Sequence, residues 1–376
     1  KNMSFISHVE TWITKSEQSD DGWATIKPFL FIKLTTSDGI VGWGEAFTLP
    51  TREKGMVEII HNLMETISSL DDLLPEIFNS RVKQIADGHG GIDFSSATSA
   101  IEMSLWDIKA KRENKPLSHI LTKKPKKKVS VYANTWSEKL PDCETLSARA
   151  IELLKQGFGG IKIYPLQNRT IDQAANCVSI IRDNIGSETP LMLDLASPQD
   201  SNISLKLASL IKDLNPYWFE EPIDGQSTRL LASIKKKTGL KIVTGEKQFG
   251  LQHFTETLAA NAADILNPDI AGVGGIIDMI KISELSQKNN VIISPHCWNS
   301  MSIAASAMLH FCASNSNVDM AEIYPEYISN GLKYSDVNFD IKNGFAELKD
   351  RPGLGVKIDV KSLIKLSSHH KQTKLR

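Results

Sequence analysis

Three acidic residues recur at even intervals in the second half of the chain. Asp194, Glu220 and Glu246 are spaced at intervals of 26 residues, and each follows a short apolar run. Three carboxylates that converge on one point repel each other unless a cation lies among them. Oxygen ligands favour Mg²⁺ over zinc, and three of them leave other octahedral positions for water or substrate. A single acidic residue is more often a surface or capping charge, but this spacing predicts a Mg²⁺ site.

A histidine and a lysine-tyrosine pair are suited to acid-base chemistry beside such a site. His296 follows one apolar run, and Asp269 ends the preceding run. Adjacent strand ends would let Asp269 accept a hydrogen bond from the imidazole, fix its tautomer and raise its basicity. Lys162 and Tyr164 are two residues apart in another run, so their side chains point to the same face of a strand. These residues predict a centre that transfers protons.

Eight short apolar runs would position these side chains. One polar residue near the end of each run recurs at intervals of 23 to 32 residues: Asn134, Lys162, Asp194, Glu220, Glu246, Asp269, His296 and Glu322. One strand-helix unit of a (β/α)8 barrel takes roughly 25 to 30 residues, and active sites form at the carboxyl ends of the strands. An open doubly wound sheet usually carries a glycine-rich phosphate loop, and the chain has no GxGxxG or GxxxxGK[ST] motif. The pattern therefore predicts an α/β barrel.

The N-terminal third has a different organisation. Residues 28–46 contain two apolar, β-branched runs separated by Asp-Gly, a dipeptide typical of a tight hairpin turn. Over residues 54–115, apolar side chains recur three and four positions apart, as on amphipathic helices. Strands followed by helices predict an α+β module. The lysine-rich stretch 123–128 lacks interleaved aromatic residues, which favours a solvated linker over nucleic-acid binding.

The composition excludes two classes of partner. The chain has 376 residues, 41% of them hydrophobic, and its 43 basic and 44 acidic side chains give a formal net charge of −1. No nucleic acid and no membrane is expected, because the chain lacks a positive field and an apolar run of about 18 residues. Four dispersed cysteines and the absence of a secretory signal predict a cytoplasmic protein without disulfides. The basic tail after Lys361 is expected to be disordered or to lie on the surface.

The order of nine motifs resembles the mandelate racemase subgroup of the enolase superfamily. The motifs are GWGE (42–45), IEMSLWDIKAK (101–111), KIY (162–164), MLD (192–194), FEEP (219–222), GE (245–246), PDIAGVGG (268–275), SPH (294–296) and PGLGV (352–356). The resemblance implies a modified (β/α)7β TIM barrel over residues 126–325. It implies an N-terminal α+β capping domain over residues 1–125, completed by a C-terminal segment of residues 326–376.

The resemblance also implies a cofactor and a reaction. One Mg²⁺ per active site would be held by Asp194, Glu220 and Glu246, in what is expected to be a homo-oligomer. Family members abstract the proton α to a carboxylate and form an enediolate that Mg²⁺ stabilises, with a lysine or histidine base. Two positions depart from the family pattern: Tyr164 replaces the second lysine of KxK, and Ala196 replaces a common asparagine.

The tyrosine at position 164 favours dehydration over racemisation. A racemase needs matched groups on both faces of the enediolate, whereas a dehydratase needs one base and one acid. We therefore expect dehydration of a small carboxylate substrate, an aldonate or aldarate, to a 2-keto-3-deoxy acid. A racemase or epimerase of a 2-hydroxy acid and a catalytically inactive binding protein remain alternatives.

Each residue at the predicted centre receives a role. His296, supported by Asp269, acts as acid and also as base. Tyr164 is an alternative base, because the neighbouring Lys162 and the metal would lower its pKa and favour the phenolate. Lys162 neutralises the substrate carboxylate, and Glu322 forms a hydrogen bond with an enediolate or carboxylate oxygen.

Substrate contacts are expected from the barrel and from two loops of the capping domain. Asn134 is the candidate in the barrel, and Trp23, Phe47 and Arg52 are the candidates in the loops. Arg52 would pair with the distal carboxylate of a diacid, which would favour an aldarate over an aldonate.

Overall fold

The structure, a computed structural model, describes residues 4–68, 73–297 and 302–375. The N-terminal part folds into strands and helices with these bounds: β1 (Ile6–Thr14), β2 (Glu17–Gln18), β3 (Thr25–Ile26), β4 (Leu30–Thr36), β5 (Val41–Ala46), α1 (Glu53–Ile67), α2 (Pro75–Ala86), α3 (Ile92–Arg112) and α4 (Leu117–Leu121). Strands β1, β4 and β5 are antiparallel neighbours. The predicted α+β capping module is confirmed, with the Asp-Gly turn between β4 and β5.

A parallel barrel follows the capping module. Its elements are β6 (Lys128–Asn134), α5 (Cys143–Lys155), β7 (Ile161–Ile163), α6 (Ile171–Ile185), β8 (Leu191–Asp194), α7 (Ser201–Ile211), β9 (Trp218–Glu220), α8 (Thr228–Thr238), β10 (Ile242–Thr244), α9 (Gly250–Ala259), β11 (Ile265–Leu266), α10 (Ile276–Lys288), β12 (Ile292–Ile293), α11 (Ser302–Ser314) and β13 (Ala321–Ile323). Strands β6 to β12 pair in chain order and β13 pairs with β6, all in parallel. Each of the eight predicted runs contains one of these strands, so the predicted barrel is confirmed.

Local sequence explains where two of the barrel helices begin. At the start of α5, the Asp142 carboxylate accepts a hydrogen bond from the backbone N–H of Thr145. At the start of α6, Thr170 and Gln173 form a reciprocal capping box. These side chains satisfy N–H groups that have no partner within the helix.

The GWGE motif lies where β5 packs directly against α3. Gly44 has no space for a side chain, because a Cβ there would collide with the backbone carbonyl oxygen of Ala100. Asp107 of α3 accepts hydrogen bonds from the backbone N–H groups of Trp43 at 2.9 Å and Leu354 at 2.8 Å. One buried carboxylate therefore joins three of the motifs that carry the family resemblance.

The segment after the barrel contacts both units. It contains α12 (Pro325–Gly331), β14 (Phe339–Lys342), β15 (Phe345–Leu348), α13 (Val360–Leu366) and β16 (Ser367–Lys374). β15 pairs with β6 of the barrel, whereas β16 pairs with β1 of the capping sheet, both in antiparallel fashion. Of the two expectations for the basic tail, disorder was wrong, because backbone hydrogen bonds to β1 hold β16 as a strand. A position at the surface was confirmed, since the side chains of β16 alternate between half-buried and exposed. The division at residues 125 and 325 stays a prediction.

The cysteines were also misjudged from the sequence. Cys143 and Cys177 form a disulfide between α5 and α6, with Cα atoms 5.3 Å apart. The prediction of no disulfide was wrong, because the proximity of these residues depends on helix packing and not on their spacing.

Among the described residues, no helix is both long and apolar enough to cross a membrane.

His61 of α1 connects the C-terminal strand to the capping sheet. Its ring nitrogens lie 3.0 Å from Thr11 Oγ1 of β1 and 2.8 Å from Thr373 Oγ1 of β16. Burial, together with the positive charge of Lys371, lowers the pKa of His61 to about 4 from its ordinary 6.5. The folded protein therefore holds this imidazole in its neutral form.

We expect acid to destabilise the protein through His61. The imidazole of His61 takes up a proton near pH 6.5 in the unfolded chain but only near pH 4 in the folded chain. Its contribution to the free energy of unfolding is therefore complete above pH 6.5 and is lost as pH falls through 4. The effect is at most about 1.4 kcal/mol per pH unit. His61→Gln, which does not titrate, should flatten the pH dependence of the free energy of unfolding in urea. The exposed His119→Gln is the control, and equal slopes for native and H61Q protein would contradict the expectation.

Candidate active site

The eight polar residues at the strand ends form one connected cluster. Each makes a hydrogen bond or ion pair with another member: Asn134, Lys162, Asp194, Glu220, Glu246, Asp269, His296 and Glu322. All are buried except Glu246, whose side chain is 20% exposed. The barrel thus brings together residues that span almost 190 positions of the sequence.

Three carboxylates of this cluster are close enough to share a cation. Asp194, Glu220 and Glu246 each offer an oxygen, and these oxygens lie within 4.8 Å of one another. Burial raises the pKa of Asp194 and of Glu220, and the other carboxylates add to this rise although Lys162 opposes it. Buried, mutually repelling carboxylate oxygens form a donor set suited to a divalent metal ion.

Lys162 supplies positive charge among the carboxylates of the cluster. Its ammonium lies 2.6 Å from Glu322 Oε1, 3.0 Å from Glu220 Oε1 and 3.5 Å from Asp194 Oδ2, and its side chain has no exposed surface. Burial alone would lower the pKa of Lys162, but these carboxylates raise it well above the ordinary value. The ammonium is paired with protein carboxylates, so its expected role toward a substrate carboxylate stays a prediction.

His296 connects an acid-base group to the carboxylate triad. Its Nδ1 lies 2.7 Å from Asp269 Oδ2, and its Nε2 lies 3.1 Å from Glu246 Oε2 and 3.7 Å from Glu322 Oε2. Burial opposes a charged ring, but Glu246 and Glu322 raise the pKa of His296 well above 6.5. Burial likewise opposes the charge of Glu246, yet His296 lowers the pKa of this carboxyl to about 2. Both ring nitrogens of His296 thus lie within hydrogen-bond distance of a carboxylate oxygen.

Tyr164 is a neutral phenol in this environment. Its hydroxyl oxygen accepts a hydrogen bond from Asn134 Nδ2 at 2.9 Å, and the Lys162 ammonium lies 5.9 Å from its ring centre. Burial raises the pKa of Tyr164 well above 10 and outweighs the opposing effect of Lys162. Burial and the neighbouring carboxylates thus oppose the expected shift toward phenolate, and the role of Tyr164 as an alternative base stays a prediction.

Two predicted substrate contacts of the capping domain lie against the barrel. The half-buried Trp23 donates from Nε1 to the backbone oxygen of Trp136, just beyond β6, at 3.2 Å. The backbone N–H of Phe47 donates to the oxygen of Ala271, just beyond β11, at 2.9 Å. Both loops thus contact segments that follow barrel strands. Contact with substrate itself stays a prediction.

Arg52 is placed differently from what the diacid hypothesis required. Its Nη1 lies 3.3 Å from Asp93 Oδ1 at the start of α3, and the two side chains are 48% and 41% exposed. Its charge is therefore paired with Asp93 near the protein surface. In the described residues no contact joins Arg52 to the strand-end cluster, so the preference for an aldarate gains no support.

Residues around Glu220 were not identified from the sequence. Trp218 Nε1 donates to Glu220 Oε2 at 3.0 Å, and Asn267 Nδ2 donates to Glu220 Oε1 at 2.8 Å. The next residue, Glu221, is buried and ion-paired with Lys247. Burial raises the pKa of Glu221 to about 7. The second glutamate of FEEP was a usable signal, because a buried second carboxylate requires partners of its own.

Lys27 was also missed. This residue of the capping domain donates from Nζ to the backbone oxygen of Thr48 at 2.8 Å and lies 5.4 Å from the ring centre of Phe47. Burial lowers the pKa of Lys27 to about 7, although Asp269 and Glu45 oppose the change. Lys27 of the capping domain therefore interacts electrostatically with Asp269, the partner of His296. The available signal was a lysine that interrupts the mostly apolar stretch of residues 24–32.

The chain is similar to known proteins over nearly its whole length. Residues 21–122 match the model "Mandelate racemase / muconate lactonizing enzyme, N-terminal domain", and residues 145–362 match "Enolase C-terminal domain-like". A curated relative is the D-galactonate dehydratase of Klebsiella pneumoniae (strain 342), which is 27% identical over 362 residues, or 92% of each chain.

Two solved structures superpose closely. An enolase from the environmental genome shotgun sequencing of the Sargasso Sea is 45% identical, with a TM-score of 0.96 over 99% of both chains. The 3,6-anhydro-D-galactonate cycloisomerase of Zobellia galactanivorans is 26% identical, with a TM-score of 0.88 over 97% of this chain and 100% of that one. The barrel and its cap are thus a shared architecture.

We expect a divalent cation, tested as Mg²⁺, to stabilise the protein through the carboxylate triad. At 100 times its dissociation constant, a ligand specific for the folded state adds about 2.7 kcal/mol, which raises the melting temperature by several degrees. Glu246→Gln should abolish the Mg²⁺-dependent rise in calorimetry. Glu221→Gln, the same change at a buried carboxylate outside the triad, should retain it. An undiminished rise in E246Q would contradict the assignment.

Proposed function

Because the chain belongs to the mandelate racemase and muconate lactonizing enzyme family of the enolase superfamily, we propose that it dehydrates an acid sugar to a 2-keto-3-deoxy acid. The observation that carries this proposal is the position of His296, whose Nε2 lies 3.1 Å from a carboxylate of the triad while Asp269 holds Nδ1. An acid-base group and a candidate metal site thus share one point. The relative named D-galactonate dehydratase supports a sugar acid as substrate.

The triad would hold one Mg²⁺. Asp194, Glu220 and Glu246 fit this ion because their oxygens are mutually close and two of the three side chains are almost fully buried. A bound Mg²⁺ supplies positive charge where negative charge develops on the substrate carboxylate as the α proton leaves. Lys162 opposes the rise in the pKa of Glu220, since a neutral residue there would remove the positive charge that lies 3.0 Å from this buried carboxylate.

His296 would exchange protons with the substrate through Nε2. Asp269 accepts the hydrogen bond from Nδ1, which fixes the ring orientation and the tautomer. When unprotonated, Nε2 takes the proton from the carbon α to the carboxylate. The same proton is then given to the departing β-hydroxyl, which leaves as water. One histidine can perform both transfers, so no second base is required.

The remaining strand-end residues would orient the substrate. Asn134 bridges the Tyr164 hydroxyl and the Glu322 carboxylate, at 2.9 and 2.8 Å. A neutral Tyr164 can donate its hydroxyl proton to a substrate oxygen, and Glu322 would contact an enediolate or carboxylate oxygen. Trp23 and Phe47 would contact the rest of the sugar from the capping domain.

Racemisation is the weaker candidate. It requires a second base on the face of the substrate opposite His296. Lys162 of β7 is paired with carboxylates, and burial raises the pKa of Tyr164, which follows β7, so neither residue is prepared for that role. A cytoplasmic location and a homo-oligomeric state stay predictions.

We expect His296→Asn to reduce turnover by about 10²- to 10⁴-fold, the effect of losing a positioned acid-base group. An acid-sugar library is screened with Mg²⁺ by trapping 2-keto acids with semicarbazide. His253→Asn, at a half-buried histidine of α9, is the matched control and should keep its activity. Native turnover in H296N would rule out this mechanism. Exchange of the α proton in D2O without formation of a 2-keto acid would instead favour a racemase.

A further inference from the structure

A short loop of the capping domain, residues 19–24 between β2 and β3, folds around an internal turn. The Asp21 Oδ1 atom accepts hydrogen bonds from Ser19 Oγ at 2.8 Å and from the backbone N–H of Trp23 at 2.9 Å. Within the loop, the backbone N–H of Ser19 donates to the oxygen of Ala24 at 2.8 Å. One oxygen of Asp21 thus stabilises the loop itself and leaves Oδ2 to face the barrel.

A nearly buried arginine of the barrel contacts this loop. Arg149 of α5 has a side chain only 10% exposed, and its Nη2 lies 2.9 Å from Asp21 Oδ2. The same guanidinium pairs with Glu326 of α12, and its Nη1 lies 2.9 Å from Glu152 Oε2. Its central carbon lies 5.4 Å from the ring centre of Trp23, a cation-π distance. One side chain therefore connects α5 of the barrel and α12 of the following segment to the loop.

The loop is also connected to the strand-end cluster. The indole N–H of Trp23 donates to the backbone oxygen of Trp136 at 3.2 Å. The backbone N–H of Trp136 donates to Asn134 Oδ1 at 2.7 Å, and Asn134 in turn holds Tyr164 and Glu322. A displacement of Trp23 would therefore change contacts that end at the candidate active site.

We propose that Arg149 is a positioning residue that holds the 19–24 loop, and Trp23 with it, against the barrel mouth when substrate is bound. The pair with Asp21 is the contact best suited to this role, because the guanidinium is shielded from solvent and weakly screened. A second ion pair joins Asp20 of the loop to Lys333, but its side chains are 73% and 28% exposed, so it contributes less. The effect on substrate rests on the proposed function, whereas the attachment of the loop does not.

The decisive variant is Asp21→Asn. An asparagine keeps an amide oxygen in the place of Oδ1, so the hydrogen bonds inside the loop remain while the charge facing Arg149 is removed. Glu152→Gln is the matched control, because it makes the same change at another partner of Arg149 that lies on α5 itself. Changing Arg149 is less informative, since it would leave Glu326 buried without its partner.

We expect D21N to raise KM for the acid sugar about three- to fivefold with kcat changed less than about twofold, as for loss of one partly exposed ion pair. E152Q should leave both constants unchanged. Hydrogen exchange of the amides in residues 19–24, measured without substrate, should accelerate in D21N by a similar factor and stay native in E152Q.

Three outcomes would overturn the proposal. Native exchange rates in D21N would show that Arg149 does not hold the loop. Equal effects of D21N and E152Q would assign the change to α5 as a whole. Faster exchange with an unchanged KM would separate the loop from substrate binding. If no acid sugar is turned over, the exchange experiment still tests the attachment of the loop, so failure of the proposed function is distinguishable.

Discussion

The fold must hold several negative charges away from water at one end of a barrel. Among the eight strand-end residues, five carboxylates face two basic side chains, Lys162 and His296. Burying an unbalanced carboxylate costs several kcal/mol, so these groups persist only where each finds a partner. Lys162 forms ion pairs with Glu220 and Glu322, and His296 pairs with Glu246 and Asp269. The remaining excess of negative charge is what makes the triad a place for a divalent cation.

The barrel was predictable because each strand carries the same short signal, an apolar run that ends in a polar residue. The local state of Tyr164 was not predictable, since its pKa depends on how far burial outweighs a lysine already paired with carboxylates. The electrostatic interaction of Lys27 with Asp269 and the disulfide between Cys143 and Cys177 depend on packing between distant elements. Sequence spacing holds no information about such contacts.

The motifs that carry the family resemblance have two physical roles. Those at the strand ends bring charged side chains into the site. Others join the cap to the barrel: Glu45 of GWGE accepts a hydrogen bond from the backbone N–H of Ala304 at the start of α11, at 2.8 Å. Asp107 connects α3 to the segment that follows the barrel. The site therefore depends on residues that do not face it, because the two loops that carry Trp23 and Phe47 lie where the cap contacts the barrel.

The pairing of β1 with β16 has a consequence for how the protein is made. Residue 8 lies opposite residue 374, so β1 cannot pair with β16 until the ribosome has translated every strand of the barrel. During that interval the edge of β1 exposes unpaired backbone groups, which are sites of aggregation. Pairing across such a sequence distance is also slow to form. Synthesis of the cap therefore begins before that of the barrel, but its sheet is completed only after the barrel strands have been made.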